Sequence, residues 1–344
     1  MQMQPFSRQR GLTLVELLVA VALASLVAIA AVASLIVARQ GFTSVDTATQ
    51  LRDNGRFAAG LMRRIILQGG YVSTQYAIDR SHQFKLDATA PQPYIKGFNN
   101  AQYGEDPENP ENLDLVLGNT DTVNSSATGI NNSDMLVIRY QSGQTISGGV
   151  SDEAMINCSG ATASAPTGLT DHMLSVFYIA NSTTTGQPTL MCTWRDGSSL
   201  QPPRPLIEGV ESMQILYGTY GVTPNTAPTA LAANTLTPPP DRYLRADQLV
   251  VSGDDAATIA NWERVRSVRI GLVLRGPTGS APETTVPAQY PFGKTKQSGD
   301  ASSVPDSMMA STDDAGSSLA AQSDGRLRQT LTFTVHLRNP QDAL

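Results

Sequence analysis

Residues 8–39 of the 344-residue chain read RQRGLTLVELLVAVALASLVAIAAVASLIVAR, and this stretch decides the fold. Its part from 12 to 38 holds 27 residues and a single charge, Glu16. As a helix this run would be about 40 Å long, against a hydrocarbon thickness of about 30 Å, so it predicts a membrane-spanning segment. Arg8 and Arg10 precede the run. Because basic flanks stay in the cytoplasm, we expect a cytoplasmic N-terminus and a periplasmic C-terminal bulk.

Two ordinary explanations account for this segment only in part. A cleaved secretory signal has an apolar core of about 7–15 residues, followed by a small-residue cleavage site. The sequence Ala31-Val-Ala33 imitates such a site, but the apolar run is too long and continues past it. A plain signal anchor fits the length but leaves Glu16 unexplained, since a carboxylate in a membrane helix costs about 2.5–3.5 kcal/mol on insertion scales.

Gly11, the apolar residue after it and the run Thr13-Leu-Val-Glu16-Leu resemble the class III leader of type IV prepilins and pseudopilins. The resemblance implies that a membrane peptidase cuts between Gly11 and Leu12, and that Leu12 becomes the methylated first residue of the mature chain. Glu16 would then be the fifth mature residue. There its carboxylate can neutralise the new ammonium group of a neighbouring subunit, which removes the cost of burying each charge alone. The family usually begins its mature chain with Phe, and Leu12 departs from that pattern.

The helical pattern continues past the membrane run but becomes amphipathic over residues 40–68. Apolar residues at three- and four-residue steps predict a face that packs on a globular head: Phe42, Val45, Ala48, Leu51, Ala58, Leu61, Met62 and Ile65. Charged residues fall largely on other faces and favour a solvated surface: Arg52, Asp53, Arg56, Arg63 and Arg64. Gly69-Gly70 predicts the end of the helix, which from Leu12 to Gln68 would be about 85 Å long.

The remainder predicts short strands separated by long polar loops. Strands are expected at Leu113–Leu117, Met135–Tyr140, Met173–Ile179, Leu190–Trp194, Ser212–Tyr217, Val268–Leu274 and Leu331–Leu337, with a short helix at Asp255–Glu263. Since helices are scarce after residue 70, parallel crossovers are not expected, and an antiparallel sheet on the long helix gives an α+β fold. Loops are expected near 91–110, 222–240 and 276–325, where contact surfaces and mobile connections both fit the composition.

Two cysteines, Cys158 and Cys192, lie in the polar part of the chain. An even pair in an exported protein is typical of one disulfide, and the alternative is two buried free thiols. A disulfide across 34 residues would stabilise the fold by roughly 3–4 kcal/mol on the loop-entropy model.

The sequence shows no pattern of catalytic or cofactor chemistry. Three histidines, His82, His172 and His336, are far apart and have no cysteine or carboxylate at metal-ligand spacing. The net charge of −6 argues against nucleic-acid binding by bulk electrostatics. We therefore expect a protein that is not an enzyme, with no cofactor, no metal, no catalytic residue and no small-molecule substrate.

Four segments together resemble the PilW family of type IV pilus minor pilins. They are the leader region 11–21, the run LRDNGRF at 51–57 continuing to Gly69-Gly-Tyr71, the runs at 207–218, 241–246 and 262–270, and the end of the chain at 326–328 and 333–339. The family often has an Asp-rich turn after its "LYG" run. Here Thr219-Tyr-Gly-Val-Thr-Pro follows instead, so no metal site is expected at this turn.

The resemblance implies a minor pilin that starts pilus assembly together with other minor pilins and a large PilY-type tip adhesin, and so supports twitching motility and adhesion. Implied partners also include major pilins, the prepilin peptidase, the inner-membrane assembly platform and membrane lipid. The location implied is the inner membrane and then the pilus fibre, with its tip as one position. The predicted division is a leader at 1–11, a membrane half-helix at 12–38, an amphipathic half-helix at 39–68 and a periplasmic head at 69–344.

Two alternatives remain open at the level of sequence. A J-type pseudopilin of a type II secretion system shares the leader, Glu16 and the long helix, although such proteins are usually much shorter and lack the "LRN" ending. A membrane-anchored periplasmic enzyme predicts a catalytic constellation in the head, where the sequence shows none.

Overall fold

A computed structural model describes the residues from Thr13 onward with several gaps. The described ranges are 13–74, 76, 85–87, 90–91, 93–101, 103, 129–145, 149–168, 171–196, 199–229, 238–281, 283–292, 319 and 321–339. They form one long helix followed by antiparallel sheets, which confirms the predicted α+β, pilin-like architecture. The leader, with Gly11 and Leu12, the strand predicted at 113–117 and His82 all lie outside the described residues.

The long helix, α1, runs from Leu14 to Ile66 without a break. Thr13 caps its start, where the side-chain oxygen accepts a hydrogen bond from the backbone N–H of Glu16. A turn follows over residues 67–70, and Gly70 adopts a φ of +74°, a left-handed conformation that glycine tolerates without strain. The glycine pair therefore ends the helix as the sequence predicted.

The head contains twelve strands and one further α-helix within the described residues. The strands are β1 (Lys85–Asp87), β2 (Ala90–Pro91), β3 (Ile95–Phe98), β4 (Met135–Tyr140), β5 (Met173–Asn181), β6 (Pro188–Asp196), β7 (Ser199–Leu200), β8 (Arg204–Glu208), β9 (Val210–Thr219), β10 (Arg242–Leu244), β11 (Val265–Arg275) and β12 (Arg328–His336). The helix α2 is Asp255–Glu263, as predicted, and Asp254 caps it by accepting from the N–H of Ala257.

The strands form two main sheets and a small ribbon. One sheet has the order β10-β9-β11-β12, the other has the order β3-β4-β5-β6-β7 with β8 also paired to β6, and β1 pairs with β2. Every pairing among the described strands is antiparallel. Asp134 joins the two main sheets, since its carboxylate accepts from the N–H of Ile215 at 2.8 Å while its own N–H donates to Met213.

Six predicted strands correspond to β4, β5, β6, β9, β11 and β12, whereas several short strands were not anticipated. The prediction of a loop over 91–110 is wrong at β3, whose Gly97 lies so close to Tyr217 that an added Cβ would overlap its hydroxyl. This strand is hard to recognise in the sequence because it contains glycine and lysine, which are both depleted in strands. The described parts of the other two predicted loops, 222–229, 238–240, 276–281, 283–292, 319 and 321–325, contain only isolated bridges.

Helix α1 packs against β11 and β12 of the four-stranded sheet. Seven residues at three- and four-residue steps form the buried stripe: Thr47, Leu51, Gly55, Ala58, Met62, Ile65 and Ile66. The prediction was wrong for the first two residues of the apolar face, because Phe42 and Val45 are 78% and 68% exposed. The described part of the head does not reach as far as Phe42 and Val45, so the apolar spacing there continues without a partner among the described residues. The charged residues predicted to face solvent are indeed exposed.

Candidate assembly site

The N-terminal half of α1 stands clear of the head. Large apolar side chains from Leu14 to Val37 are at least half exposed in the isolated chain. Among the described residues, α1 is the single helix that is long and apolar enough to cross a membrane. Burying a surface of this size in lipid or against other apolar helices is strongly favourable, since each apolar Å² removed from water contributes about 25 cal/mol.

Polar groups within this half are satisfied by the helix itself. The Ser25 hydroxyl donates to the carbonyl of Ala22 at 2.8 Å, and the Ser34 hydroxyl donates to Ala30 at 2.9 Å. Such bonds leave no hydroxyl hydrogen unsatisfied in lipid, where no water is available. The helix is therefore compatible with an apolar surrounding over its whole first half, apart from one carboxylate.

That carboxylate belongs to Glu16, in the first turn of α1. Its backbone N–H donates to the Thr13 hydroxyl at 3.3 Å, and its side chain is exposed. A negative charge in the first turn interacts favourably with the positive end of the helix dipole. Within the described part of the chain, no cation lies within ion-pair distance of Glu16. A cation for this carboxylate must therefore come from outside the described residues.

The C-terminal half of the helix is fixed to the head by close packing at Gly55. An added Cβ at this position would lie 3.2 Å from Cδ2 of Leu331 and 3.6 Å from Cδ1 of Leu274. Glycine therefore allows the helix to approach β11 and β12 more closely than a larger residue would. In the sequence, Gly55 weakens the helix and permits either curvature or close packing, and the structure shows close packing at this position.

The upper end of the helix is fixed by side-chain hydrogen bonds to the backbone. Gln68 pairs with Ile156 in both directions, since its amide nitrogen donates to the Ile156 carbonyl at 2.9 Å and its oxygen accepts from the Ile156 N–H at 2.8 Å. Asn339 donates to the carbonyl of Gly69 at 3.0 Å. These contacts were missed at the level of sequence, although Asn339 belongs to the ending that carries the family resemblance.

The loop that holds Gln68 is itself attached to β6. In the structure Cys158 and Cys192 form a disulfide with a Cα–Cα distance of 6.1 Å, and both residues are buried. Since Cys158 follows Ile156 by two residues, the bond restrains the segment that receives the end of α1.

A buried charge cluster ties the first residue of β12 to β9. Arg328 makes a bidentate contact with Glu211, at 2.7 and 3.0 Å, and a second one with Asp324, at 2.8 Å for both bonds. Arg275 also contacts Glu211 at 3.1 Å. The hydrogen bonds from Arg328 lower the pKa of the Asp324 carboxyl to about 2, although partial burial acts in the opposite direction. Bidentate pairs of this kind set strand register as well as adding stability.

The described residues offer no group of three or more His, Cys, Asp or Glu side chains that could hold a metal ion. His172 is buried, and His336 is exposed at the end of β12, as its position on the polar side of the strand predicted. A cleft of about 520 Å³ lies between α1 and the base of the head and is lined by polar residues such as Gln50, Asn54 and Arg326.

Two families match separate parts of the chain. The prokaryotic N-terminal methylation motif matches residues 6–32, and the type IV pilus-assembly protein W family, PilW, matches residues 176–339. Together the two matches support a type IV pilin-like protein of the PilW type. The PilW match covers β6, β9, β11 and β12 and ends at Asn339, which contacts the end of α1.

Among solved structures, a type IV-like pilin from Thermus thermophilus aligns with 85% of this chain and 98% of its own length, at 13% identity and a TM-score of 0.38. The curated proteins contain no match to the sequence. Type IV pilins associate with other pilins in a pilus, so the exposed half of α1 is the candidate assembly surface of this PilW-type chain.

Proposed function

We propose that this protein is a minor pilin that helps to start type IV pilus assembly at the inner membrane, together with other minor pilins and a PilY-type tip adhesin. The supporting observation is an apolar helix that is exposed over its first half, carries one carboxylate in its first turn and ends in a separate folded head. A helix of this kind needs both lipid and a partner for its charge. Pilus-dependent twitching motility and adhesion follow from this role.

In this proposal the prepilin peptidase cuts between Gly11 and Leu12, and Leu12 is then methylated. The helix spans the inner membrane with its start in the cytoplasm and its head in the periplasm, until the assembly platform passes it into the fibre. The Glu16 carboxylate pairs with the amine at the start of a neighbouring pilin. Neither charge then remains alone in an apolar surrounding, where an unpaired ion costs several kcal/mol.

Replacement of Glu16 tests this role. We expect Glu16→Val and Glu16→Gln to insert into the membrane normally but to lower piliation and recovery in sheared fibres at least tenfold. Both variants remove the charge, and Glu16→Gln keeps the shape and hydrogen-bonding capacity of the side chain. Glu16→Asp, which keeps the charge on a shorter side chain, serves as the matched control and should retain more assembly than either. Normal piliation with Glu16→Gln would show that the charge has no role in assembly.

A further inference from the structure

Strand β12 leaves one edge of the four-stranded sheet open. It is the last strand in the order β10-β9-β11-β12, and within the described residues it pairs only with β11. Just beyond the strand, the N–H of Leu337 donates to the carbonyl of Arg266, and the register pairs Ser267 with His336. Because bonded and non-bonded pairs alternate in an antiparallel ladder, the odd-numbered residues of β12 bond to β11 and the even-numbered residues direct their N–H and C=O groups outward.

The outward groups belong to Thr330, Thr332, Thr334 and His336. In the described structure, the backbone N–H and C=O groups of these four residues make no hydrogen bond outside the pairing of β12 with β11. Thr332 and His336 are exposed at this edge. Four N–H and four C=O groups are thus available along about 20 Å of strand, at roughly 3.4 Å per residue.

The other sheet edges in the described structure carry features that discourage strand addition. Strand β10 has three residues and follows Pro238–Pro240, β8 contains Pro205, and the four-residue β3 carries Lys96. Short strands, prolines and lysines are the usual means of blocking an edge. Strand β12 has nine residues, contains neither proline nor lysine, and pairs with β11 without a register shift. Among the described residues, its edge is therefore long, regular and free of these blocking features.

The surroundings of this edge indicate what kind of strand would fit. A groove of about 250 Å³ runs between α1 and β12 and is lined by Arg52 and Arg56 from the helix and by Leu331, Leu274 and Gln329 from the sheet. The Arg56 side chain is 79% exposed, and its contact with Asp53 is long, at 4.0 Å. Side chains of an added strand that face the helix would meet leucine at the floor and arginine at the wall, which favours both apolar and acidic residues on that one face of the strand.

We propose that the β12 edge binds an acidic, extended segment of another pilus protein as an added antiparallel or parallel strand. Backbone hydrogen bonds to the four outward residues supply the affinity, and Arg52 and Arg56 select acidic side chains. The source of the segment, another pilus protein, rests on the proposed function, and the strand addition itself does not.

The test uses the full chain in detergent, extended after Leu344 by a flexible glycine–serine linker and a nine-residue strand. Every second residue of that strand, the set on one face, is valine or glutamate in turn, and threonine stands between them. A tethered strand has an effective concentration in the millimolar range, so weak affinity does not hide the interaction. Hydrogen exchange at the amides of Thr330, Thr332, Thr334 and His336 is then compared with that of the unextended chain. We expect exchange to slow at least tenfold, and less when lysine replaces glutamate. Unchanged exchange would overturn the proposal.

Thr330→Pro in the extended chain provides the matched disruption. In the wild type the N–H of Thr330 points outward, so a proline at this position breaks no hydrogen bond to β11. It does block an added strand, and protection at Thr332 and Thr334 should therefore be lost. Thr330→Val removes the same hydroxyl, keeps the N–H and should retain protection. Equal protection in both variants would contradict strand addition. A wild-type chain that dimerises while Thr330→Pro stays monomeric would show instead that a second copy occupies the edge.

In cells, Thr330→Pro should lower piliation at least fivefold relative to Thr330→Val. Full piliation with Thr330→Pro, despite protection in the extended chain, would overturn a pilus protein as the occupant. Glu16→Val in the extended chain should leave the protection intact, because residue 16 lies in the first turn of α1 and the groove lies at Arg52 and Arg56, many turns further along the same helix. The failure of strand binding and the failure of the assembly role are therefore separable.

Discussion

At the scale of single residues, the positions that matter most are those where the helix touches the head. Glycine at 55 looks unfavourable in a helix, since it costs about 1 kcal/mol relative to alanine. The structure gives the reason for it, because Leu331 and Leu274 occupy the space that a side chain would need. Gly60, one and a half turns later, has nothing within 4 Å of an added Cβ and faces solvent.

These two glycines should respond in opposite directions to the same change. We expect Gly55→Leu to lower the free energy of unfolding by about 1–3 kcal/mol, because overpacking pushes the helix away from β11 and β12. Gly60→Leu should raise it by up to about 1 kcal/mol through better helix propensity. Urea unfolding of the full chain in detergent, followed by the fluorescence of Trp194 and Trp262, measures both. A destabilised Gly60→Leu, or a neutral Gly55→Leu, would contradict this account of the contact.

At the scale of elements, the sequence predicted those whose periodicity is set by burial. Helix α1, α2 and the long strands β9, β11 and β12 follow the spacing of their apolar residues, and so they were recognisable. Strands β3 and β8 are short and carry glycine, lysine or proline, which hide a strand pattern. The charge of Glu16 was visible because it interrupts an apolar run. The Gln68–Ile156 contact was not visible, because it joins residues 88 positions apart through a loop without regular structure.

The contact between Arg328 and Asp324 makes the stability of the fold dependent on pH. The pKa of Asp324 is about 2 in the folded chain, because Arg328 hydrogen-bonds its charged form, and about 3.9 in an unfolded chain. The unfolded state therefore binds more protons between these values, and stability rises with pH there. The contribution of Asp324 is fully present above about pH 4 and is lost as the pH falls through 2.

We accordingly expect the wild-type urea midpoint to fall between pH 4 and pH 2, and Asp324→Asn to remove part of this fall while lowering the midpoint at pH 5. Asp53→Asn is the control, since its ion pair with Arg56 is exposed and long, and such pairs contribute little. Midpoints measured at pH 5, 4, 3 and 2 decide the question. A pH profile of Asp324→Asn that is parallel to wild type would show that Asp324 does not stabilise the fold in this way.

At the scale of the whole molecule, two surfaces of different chemistry are separated along one helix. The first half of α1 is apolar with a single acid, and the second half is buried on one side by a head that is held at Gly55, Gln68 and Gly69. Because the head begins to contact the helix only near Thr47, a segment that includes Phe42 and Val45 links the two halves without support from the head. Apolar side chains on this segment add to the surface that other helices can cover.

In the proposed assembly, Glu16 pairs with a free amine at the start of a neighbouring pilin, and that amine exists only if residues 1–11 are removed. We expect Gly11→Val to block the cut, so that the full-length chain accumulates in the inner membrane and is absent from sheared fibres. The wild-type protein should have an intact mass that corresponds to a chain starting at Leu12 with one added methyl group.

Gly41→Val, which changes a glycine beyond the membrane run, is the control and should be processed normally. Because the apolar run from 12 to 38 is long enough to span a bilayer with or without the leader, both variants should stay anchored, and loss of membrane association in Gly11→Val would contradict the role assigned to that helix. A wild-type mass that retains the first eleven residues, or a chain cut well beyond them, would remove the amine that Glu16 is proposed to pair with.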